Sequence, residues 1–450
     1  MNLTHKFLIT CFSGIYLALS LLLYQAIPPT NSHMDGDSHS YHELALQFSQ
    51  KNLLIDKNSP SNIPMHTNGY PFFLAFIYKI FGSAHKFVII IQVVLALCSG
   101  FLIYSIAKKL FSKAVALIAF FLFSWNLGFI IFPQFILAEA LLVFLLIFSF
   151  ERLTAYQTNN SLFALSLSGL LLGLSIIVKP VALYYFPLLA LYLFASNKSL
   201  KKALLFALCF AIPVTGYMAS NNAAYGSFSI SPLVNANLYL WFHAKIRATE
   251  NNTTHIEELS KLEKLIDGNK LNPQSWSKLK QEFFSLLQSK LSLAIKVWTR
   301  EVIKSLLGLY VTNLKVLTEP KVHGGDISFF SSSDNSIWSK ITTYITAGTS
   351  SRIIKAIGFL EAFWNLIRYL LVLFAFFILY KKRCWSLLIL LGSYLFYFSM
   401  ITGHDGCARY RFMFEYILIL LSALSIHTIY LTIKNNLFRS LCETCFRETS

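Results

Sequence analysis

Two carboxylates stand at the start of a predicted helix, just beyond the first long apolar run of the sequence. Asp35 and Asp37 lie in the stretch NSHMDGDSHSYHELALQFSQ, residues 31–50. Apolar residues then return at helical spacing over residues 38–50, which predicts an amphipathic helix. An acid beside the end of a membrane span can accept a proton from an attacking hydroxyl. Asp37 or Ser38 can equally serve as a helix cap, and the spacing alone leaves both roles open.

Charged residues also occur at the ends of later apolar runs, where an unpartnered charge is costly. Glu139 in PQFILAEALLVF is placed about two turns inside a predicted span, so it needs a proton or a cation. Lys179 lies in LSIIVKPVALYYF, and Arg409 and Arg411 lie in TGHDGCARYRFMFEY, with His404 close by. Snorkelling alone would explain Lys179 and Arg411. Taken together, acids and cations at one end of the spans suit an anionic headgroup bound beside a base.

The composition indicates which elements must position these residues. The 450-residue chain is 55% hydrophobic and 13% charged, with a mean hydropathy of +0.57. Apolar runs of the length needed to cross a bilayer by helix recur throughout, which predicts an all-α, polytopic membrane protein. The net charge is +17. In membrane proteins such an excess of Lys and Arg usually lies in the cytoplasmic loops, so we expect no nucleic-acid partner. Most of the seven Cys lie inside apolar runs and predict no disulfide framework.

Ten membrane spans are predicted, with both termini in the cytoplasm because the basic clusters around Lys108, Lys201 and Lys382 alternate with the runs. Residues 1–219 form an N-terminal membrane core that includes a first loop, residues 28–86, on the non-cytoplasmic side. A more polar region, residues 220–356, follows on the same side, and its amphipathic stretch 291–311 is predicted to lie on the membrane surface. Residues 357–450 form the last spans and a cytoplasmic tail. The predicted spans are residues 7–24, 87–107, 114–132, 135–150, 163–178, 181–195, 203–218, 357–380, 387–401 and 412–433.

Five motifs, in order along residues 6–435, resemble those of the GT-C glycosyltransferases of the mannosyltransferase and aminoarabinose-transferase type. DGDSHSYHELALQF resembles their first-loop motif, in which Asp37, Tyr41 and Ala45 fit the Asp–Tyr–Ala spacing. NGYPFFLAFIYKIFG and LGLSIIVKPVALYYFP resemble two further motifs, with Asn68 replacing a Pro and Lys179 the usual Arg. SNNAAYGSFSISPLVNANLY lacks an Arg of the family pattern, and GCARYRFMFEYILILLSA lacks two prolines.

The resemblance implies a GT-C-like fold and an inverting transferase that uses a polyprenyl-phosphate-linked sugar. It implies that Asp37 is the base, with Asp35 as the competing acid, and that the acceptor is a lipid, a glycan or a protein. No cofactor is required by the resemblance, although a divalent cation is possible in such enzymes, and Glu139 would orient the acceptor or bind that ion. The location implied is a bacterial inner membrane with the site facing the periplasm. The substrate-binding residues implied are Glu139, Lys179, Tyr70, His404, Arg409, Tyr410 and Arg411.

Two other function classes fit part of the pattern. A transporter or flippase of lipid-linked sugars would share the basic residues but would need no catalytic acid. A polymerase or ligase of lipid-linked glycans typically carries its large loop late in the chain, as the polar region 220–352 does here. The early Asp37 motif favours the transferase.

Overall fold

The computed structural model describes residues 3–28, 33–51, 66–265, 273–319 and 351–447, and these residues form helices and turns without a β-strand. This confirms the predicted all-α class. The helices of the first half are α1 Leu3–Ala26, α2 Ser38–Lys51, α3 Gly69–Phe81, α4 His85–Leu110, α5 Lys113–Ser124, α6 Leu127–Ile131, α7 Glu139–Asn159, α8 Leu162–Val178, α9 Tyr185–Asn197 and α10 Leu200–Tyr225. Those of the second half are α11 Leu233–Asn235, α12 His243–Asn251, α13 His255–Lys264, α14 Pro273–Leu307, α15 Val311–Thr318, α16 Arg352–Lys381, α17 Trp385–Met400, α18 Ala408–Arg411 and α19 Glu415–Arg447.

Six stretches of the described chain are long and apolar enough to cross a membrane. They are α1, α4, α10, α16, α17 with the turn after it, and the continuous stretch Ala408–Lys434. A seventh crossing results if α5 and the segment Leu127–Gln134 are counted as one span bent by 53°. Helices α3, α8 and α9 are apolar but shorter than a full span. The protein is therefore an integral membrane protein of multiple helices, while the count of ten spans stays a prediction.

The predicted spans 114–132 and 135–150 differ in detail from the helices observed. Asn126 begins a new short helix, because its side chain accepts a bond from the Phe129 N–H and so caps α6. Pro133 then lies in a 3-10 turn, and α7 starts only at Glu139. Glu139 is thus in the first turn of its helix, and its predicted position two turns inside a span is wrong. Irregular backbone of this kind within a membrane protein is tolerated where it is buried in protein, as residues 128–138 are here.

Helices α4, α7, α8 and α10 pack side by side and form the centre of the N-terminal half. Glycines allow the closest approach: a Cβ on Gly169 would lie 2.4 Å from the Phe206 carbonyl oxygen, and one on Gly173 equally close to that of Phe210. Small residues of this kind are the usual contacts between membrane helices. About three turns farther along α7 than Glu139, buried Glu151 pairs with Lys109 and Arg152. Helix α7 therefore carries two neutralised acids.

The polar region folds around two small apolar clusters that involve α12, α13 and α14. Helix α13 begins with a capping box between Thr254 and Glu257, which satisfies backbone N–H groups at its start. Helix α14 is kinked at Lys290, where the backbone leaves the helical conformation. The predicted amphipathic stretch 291–311 is therefore mostly the second limb of α14. In the C-terminal part, α16 packs along α19, and the turn between α17 and α19 reaches toward α14.

Candidate active site

Asp37 lies at the start of α2, with its carboxylate turned toward the last helices of the chain. The predicted amphipathic helix is present as α2, and the capping alternative can now be judged from the contacts. Ser38 Oγ donates to the Asp35 carbonyl oxygen at 2.8 Å and accepts from the Asp35 N–H at 3.0 Å. The Asp37 carboxylate instead contacts Arg409 and His66. The Asp37 carboxylate therefore faces charged and polar side chains rather than the backbone at the start of α2.

Arg409 joins two carboxylates that come from different parts of the chain. Its Nη2 donates to Asp37 Oδ2 at 2.8 Å, and its Nε donates to Glu139 Oε1 at 2.5 Å. Lys179 Nζ donates to the same Glu139 oxygen at 2.9 Å. Glu139 is only 2% exposed, whereas Asp37 is 31% exposed. We call Asp37, Glu139, Lys179 and Arg409 the Arg409 cluster; its two acids and two cations neutralise one another.

Local backbone contacts hold Lys179 and the Asp37 region together. Lys179 ends α8 because Pro180, which lacks an N–H, follows it. Thr67 Oγ1 donates to the Val178 carbonyl oxygen at 3.0 Å, which fixes the segment before α3 against the end of α8. A Cβ on Gly69 would lie 2.5 Å from the Ile177 carbonyl oxygen, so this approach requires glycine. The closeness of residues 66–69 to Lys179 is thus built into the backbone.

His66 is the member of the site that the sequence reasoning missed. Its Nε2 lies 3.7 Å from Asp37 Oδ1, and its ring packs against Tyr41 with centroids 5.0 Å apart. Burial lowers the pKa of His66, although the Asp37 carboxylate opposes the shift. Burial alone would raise the pKa of Asp37, but the Arg409 and Lys179 charges outweigh it and lower that pKa below its ordinary value. Asp37 is therefore ionised and His66 neutral near pH 7.

Tyr410 lies beside the Arg409 cluster, and His404 lies next to Tyr410. The Lys179 ammonium sits over the Tyr410 ring, 5.6 Å from its centroid. The His404 and Tyr410 ring centroids are 5.6 Å apart, and His404 Nδ1 is bonded to the Ile401 carbonyl oxygen at 3.0 Å. Both residues therefore line one side of the cations, with His404 fixed in the turn after α17.

Tyr70 and Asp35 lie in different surroundings from Asp37. Tyr70 is fully buried, and its hydroxyl donates to Gln92 Oε1 at 2.8 Å. Its ring is an internal contact of Tyr41, so stacking on a sugar is not supported by its position. Among the described residues, no side chain forms an ion pair with the Asp35 carboxylate, in contrast to Asp37.

Arg411, predicted to share the phosphate grip, belongs to a separate buried cluster. Its guanidinium donates to Glu361 Oε1 at 3.0 Å and lies 3.4 Å from Glu415 Oε2. Glu415 also pairs with Arg368, and Glu361 accepts the N–H of Tyr310 at 2.8 Å at the start of α15. Arg411 is completely buried. We call Arg411, Arg368, Glu361 and Glu415 the Arg411 cluster, and it anchors the turn rather than facing Asp37.

The residues of the site do not form a donor set for a metal ion. Among the described ranges, no group of three or more His, Cys, Asp or Glu side chains could hold one. The two carboxylates that a divalent ion would need, Asp37 and Glu139, are both bound by the Arg409 guanidinium. A positive charge thus already lies between them, and no metal step is derived from this geometry.

One family model matches part of the chain. The model for dolichyl-phosphate-mannose-protein mannosyltransferases matches residues 65–217, which include Glu139 and Lys179. The comparison with curated proteins gives no match.

The comparison with solved structures matches archaeal and bacterial membrane enzymes. The oligosaccharyltransferase AglB from Archaeoglobus fulgidus, solved with an inhibitory peptide and a dolichol-phosphate, aligns at a TM-score of 0.55 and 14% identity. That alignment covers 98% of this chain and 51% of AglB, so the chain spans about half the length of that relative. An Archaeoglobus fulgidus oligosaccharyltransferase tethered to an acceptor peptide aligns with a TM-score of 0.56 and 12% identity. This alignment also covers 98% of this chain and 51% of the other. ArnT from Cupriavidus metallidurans aligns at 0.42 and 11% identity, over 92% of this chain and 77% of ArnT.

These comparisons bear on fold and relationship rather than on individual side chains. The chain shares its overall fold with a membrane-embedded oligosaccharyltransferase. The matched family model adds a relationship to mannosyltransferases within residues 65–217. The resemblance predicted from the five motifs is therefore confirmed for the fold of this multi-pass membrane protein and for the segment that the mannosyltransferase family model matches.

Proposed function

We propose that this protein transfers a sugar from a polyprenyl-phosphate-linked donor to a lipid, glycan or protein acceptor, with inversion at the anomeric carbon. The observation that carries the proposal is the Arg409 bridge, which holds the acid of the first loop beside two cations. A general base and a phosphate grip are the two parts that such a transfer requires. The site would face the non-cytoplasmic side of the membrane. In a bacterial inner membrane this side is the periplasm.

Arg409 and Lys179 are suited to bind the donor phosphate. Each keeps N–H donors that the pairs with Asp37 and Glu139 do not use, since a guanidinium and an ammonium both carry several. When the bond from the anomeric carbon to the phosphate oxygen breaks, its electron pair goes to the phosphate and the negative charge there grows. Cations already held in position stabilise that growing charge without reorganising.

Asp37 is suited to take the proton of the acceptor hydroxyl. Its Oδ2 is held by Arg409, while Oδ1 faces His66 at 3.7 Å, beyond hydrogen-bond distance. As the acceptor oxygen bonds to the anomeric carbon, its proton passes to the Asp37 carboxylate, and attack opposite the leaving phosphate inverts the centre. Asp37 is also the most exposed member of the Arg409 cluster, which suits contact with a substrate from outside. A transporter would need no such base.

The matched pair Asp37→Asn and Asp35→Asn tests the assignment. Asparagine keeps the shape but cannot accept the proton, so we expect transfer from a polyprenyl-phosphate-linked sugar to fall by about 10²–10⁴-fold in Asp37→Asn. Asp35→Asn should stay close to the wild type. The measurement is turnover by equal amounts of folded, purified protein, with lipid-linked glycan profiles of cells as a second readout. Normal turnover by both variants would refute Asp37 as the base, and absence of transfer by the wild-type protein would refute the transferase proposal and favour transport.

A further inference from the structure

A cavity lies at the turn that leads from α17 to Arg409. It has a volume of about 580 Å³ and is an open cleft lined by residues of α12, the start of α13, α14 and the turn after α17. Its charged lining consists of Lys245, Arg300, Lys304, Glu301 and Asp405, with His255 beside them. The resemblance to known families assigned no role to most of these residues. We call this cavity the basic pocket, because its three Lys and Arg outnumber its two carboxylates.

Glu301 holds the cations of the basic pocket in place, and their hydrogen bonds occupy both of its carboxylate oxygens. It is 1% exposed and accepts from Lys245 at 2.9 Å, from Lys304 at 2.9 Å and from Arg300 at 3.2 Å. The backbone N–H of Gly406 donates to it as well, at 3.0 Å. Arg300 donates only through Nε in this contact and is 51% exposed, so the rest of its guanidinium is open to a ligand. The pocket therefore presents preorganised donors with a net positive charge.

The basic pocket and the Arg409 cluster share one short, rigid turn. Asp405 bonds Lys245 in the pocket at 2.5 Å, and four residues later Arg409 bonds Asp37 and Glu139. The turn is packed tightly on α14: a Cβ on Gly406 would lie 2.2 Å from the Glu301 carbonyl oxygen. A molecule bound in the pocket would thus lie beside the reacting centre without occupying it.

We propose that the basic pocket binds a phosphate or carboxylate group carried by the acceptor. The inference rests on the proposed function, because a polyprenyl-phosphate donor brings a single phosphate and Lys179 and Arg409 already suit it. Binding of the donor phosphate therefore does not require the cations of the basic pocket. Arg and Lys side chains bind such oxyanions by charge-assisted hydrogen bonds. An acceptor anchored there would present a hydroxyl toward Asp37, which makes the pocket a determinant of acceptor choice.

The test measures binding of inorganic phosphate to the purified, full-length protein by phosphorus NMR titration at constant ionic strength. The variant is Arg300→Gln with Lys304→Gln; the control is Lys296→Gln, an exposed residue of α14 outside the pocket. We expect the double variant to bind about fivefold more weakly or worse, since the lost contacts are partly exposed. If the double variant melts early, Arg300→Gln alone is used, because Glu301 then keeps both lysines. Equal affinity in wild type and variant would overturn the proposal.

Two further arms separate the sources of the anion. Polyprenyl phosphate in nanodiscs should bind the double variant as tightly as the wild type, and weakened binding would assign the pocket to the donor instead. Inorganic phosphate binding that is lost in Arg409→Gln but kept in the double variant would likewise overturn the assignment. Because these measurements need no transfer, their failure leaves the transferase proposal intact. Absence of transfer by the wild-type protein would refute the transferase while the pocket still bound anions, and the assignment of the pocket to an acceptor would then be withdrawn.

Discussion

Replacing Arg409 by Gln removes the link between the acid of the first loop and the acid of α7. Two charge-assisted hydrogen bonds are lost, to Asp37 and to Glu139. Glu139 keeps Lys179, so it is not left as an unpaired buried charge. Breaking a buried ion pair costs about 3–5 kcal/mol, and we expect roughly 3 kcal/mol of unfolding free energy here, because Asp37 is partly exposed and Glu139 retains a partner.

The same substitution should change the protonation of Asp37. Arg409 is the first cation that holds the Asp37 pKa below its ordinary value against the effect of burial. In the wild type this lowered pKa stabilises the fold above the unfolded value of 3.8, and the contribution is lost as pH falls through the folded value. In Arg409→Gln burial dominates, so the pKa rises. The acidic limb of the rate profile for transfer should then move to higher pH.

The assay is kcat/KM for sugar transfer as a function of pH, with unfolding followed on the same samples. At neutral pH we expect transfer by Arg409→Gln to fall by about 10²-fold or more, because a phosphate contact is lost and the base is no longer held. Arg409→Lys keeps the positive charge but loses the planar guanidinium with its several N–H donors. Its rate of transfer should therefore lie between those of the wild type and Arg409→Gln. Arg152→Gln breaks an ion pair with Glu151, about three turns from Glu139 along α7, and serves as the control. An acidic limb of Arg409→Gln that coincides with that of the wild type would refute the reasoning.

Three further predictions follow from other contacts. As the pH falls below 6.5, the free energy of unfolding of His66→Gln should decrease less than that of the wild type, since burial lowers the pKa of His66 and protonation there favours unfolding; equal pH slopes in chemical denaturation would contradict this. Gly406→Ala should lower the melting temperature and transfer together, because the added Cβ meets the α14 backbone at 2.2 Å, whereas Gly216→Ala, with open space around it, should change neither. A topology reporter after Asn252 should read non-cytoplasmic and one after Lys382 cytoplasmic; a cytoplasmic signal at Asn252 would overturn the predicted orientation.

The class of the fold and the main charged residues of the site could be predicted from the sequence, because apolar runs and lone charges within them are strong local signals. Asp37, Glu139, Lys179 and Arg409 all stood out as charges that a membrane protein must neutralise. Their pairing could not be predicted, since Arg409 and Asp37 are 372 positions apart and only packing brings them together. The same limit explains Arg411: its spacing from Arg409 places the two side chains on different sides of a short helical turn.

Other features had no clear sequence signal. His66 lies among residues that look like an ordinary loop, and it joins the site only through the Thr67 bond to the end of α8. Glu301 lies within the predicted amphipathic stretch 291–311, and its contacts with Lys245 and the Gly406 N–H come from distant parts of the chain. The break at Asn126 was hidden because the residues on both sides are apolar. Each of these depends on tertiary contacts, which periodicity does not encode.

The Arg409 cluster is electrically balanced before any substrate arrives. A site that displayed bare cations would attract every anionic lipid headgroup and small anion near the membrane surface. Here a visiting anion gains only the difference between its own contacts and those that Asp37 and Glu139 already supply. Entry of the donor is thus an exchange of partners, and molecules that offer only charge are poor competitors. The acids of this site therefore select among anions, in addition to the roles proposed for them in transfer.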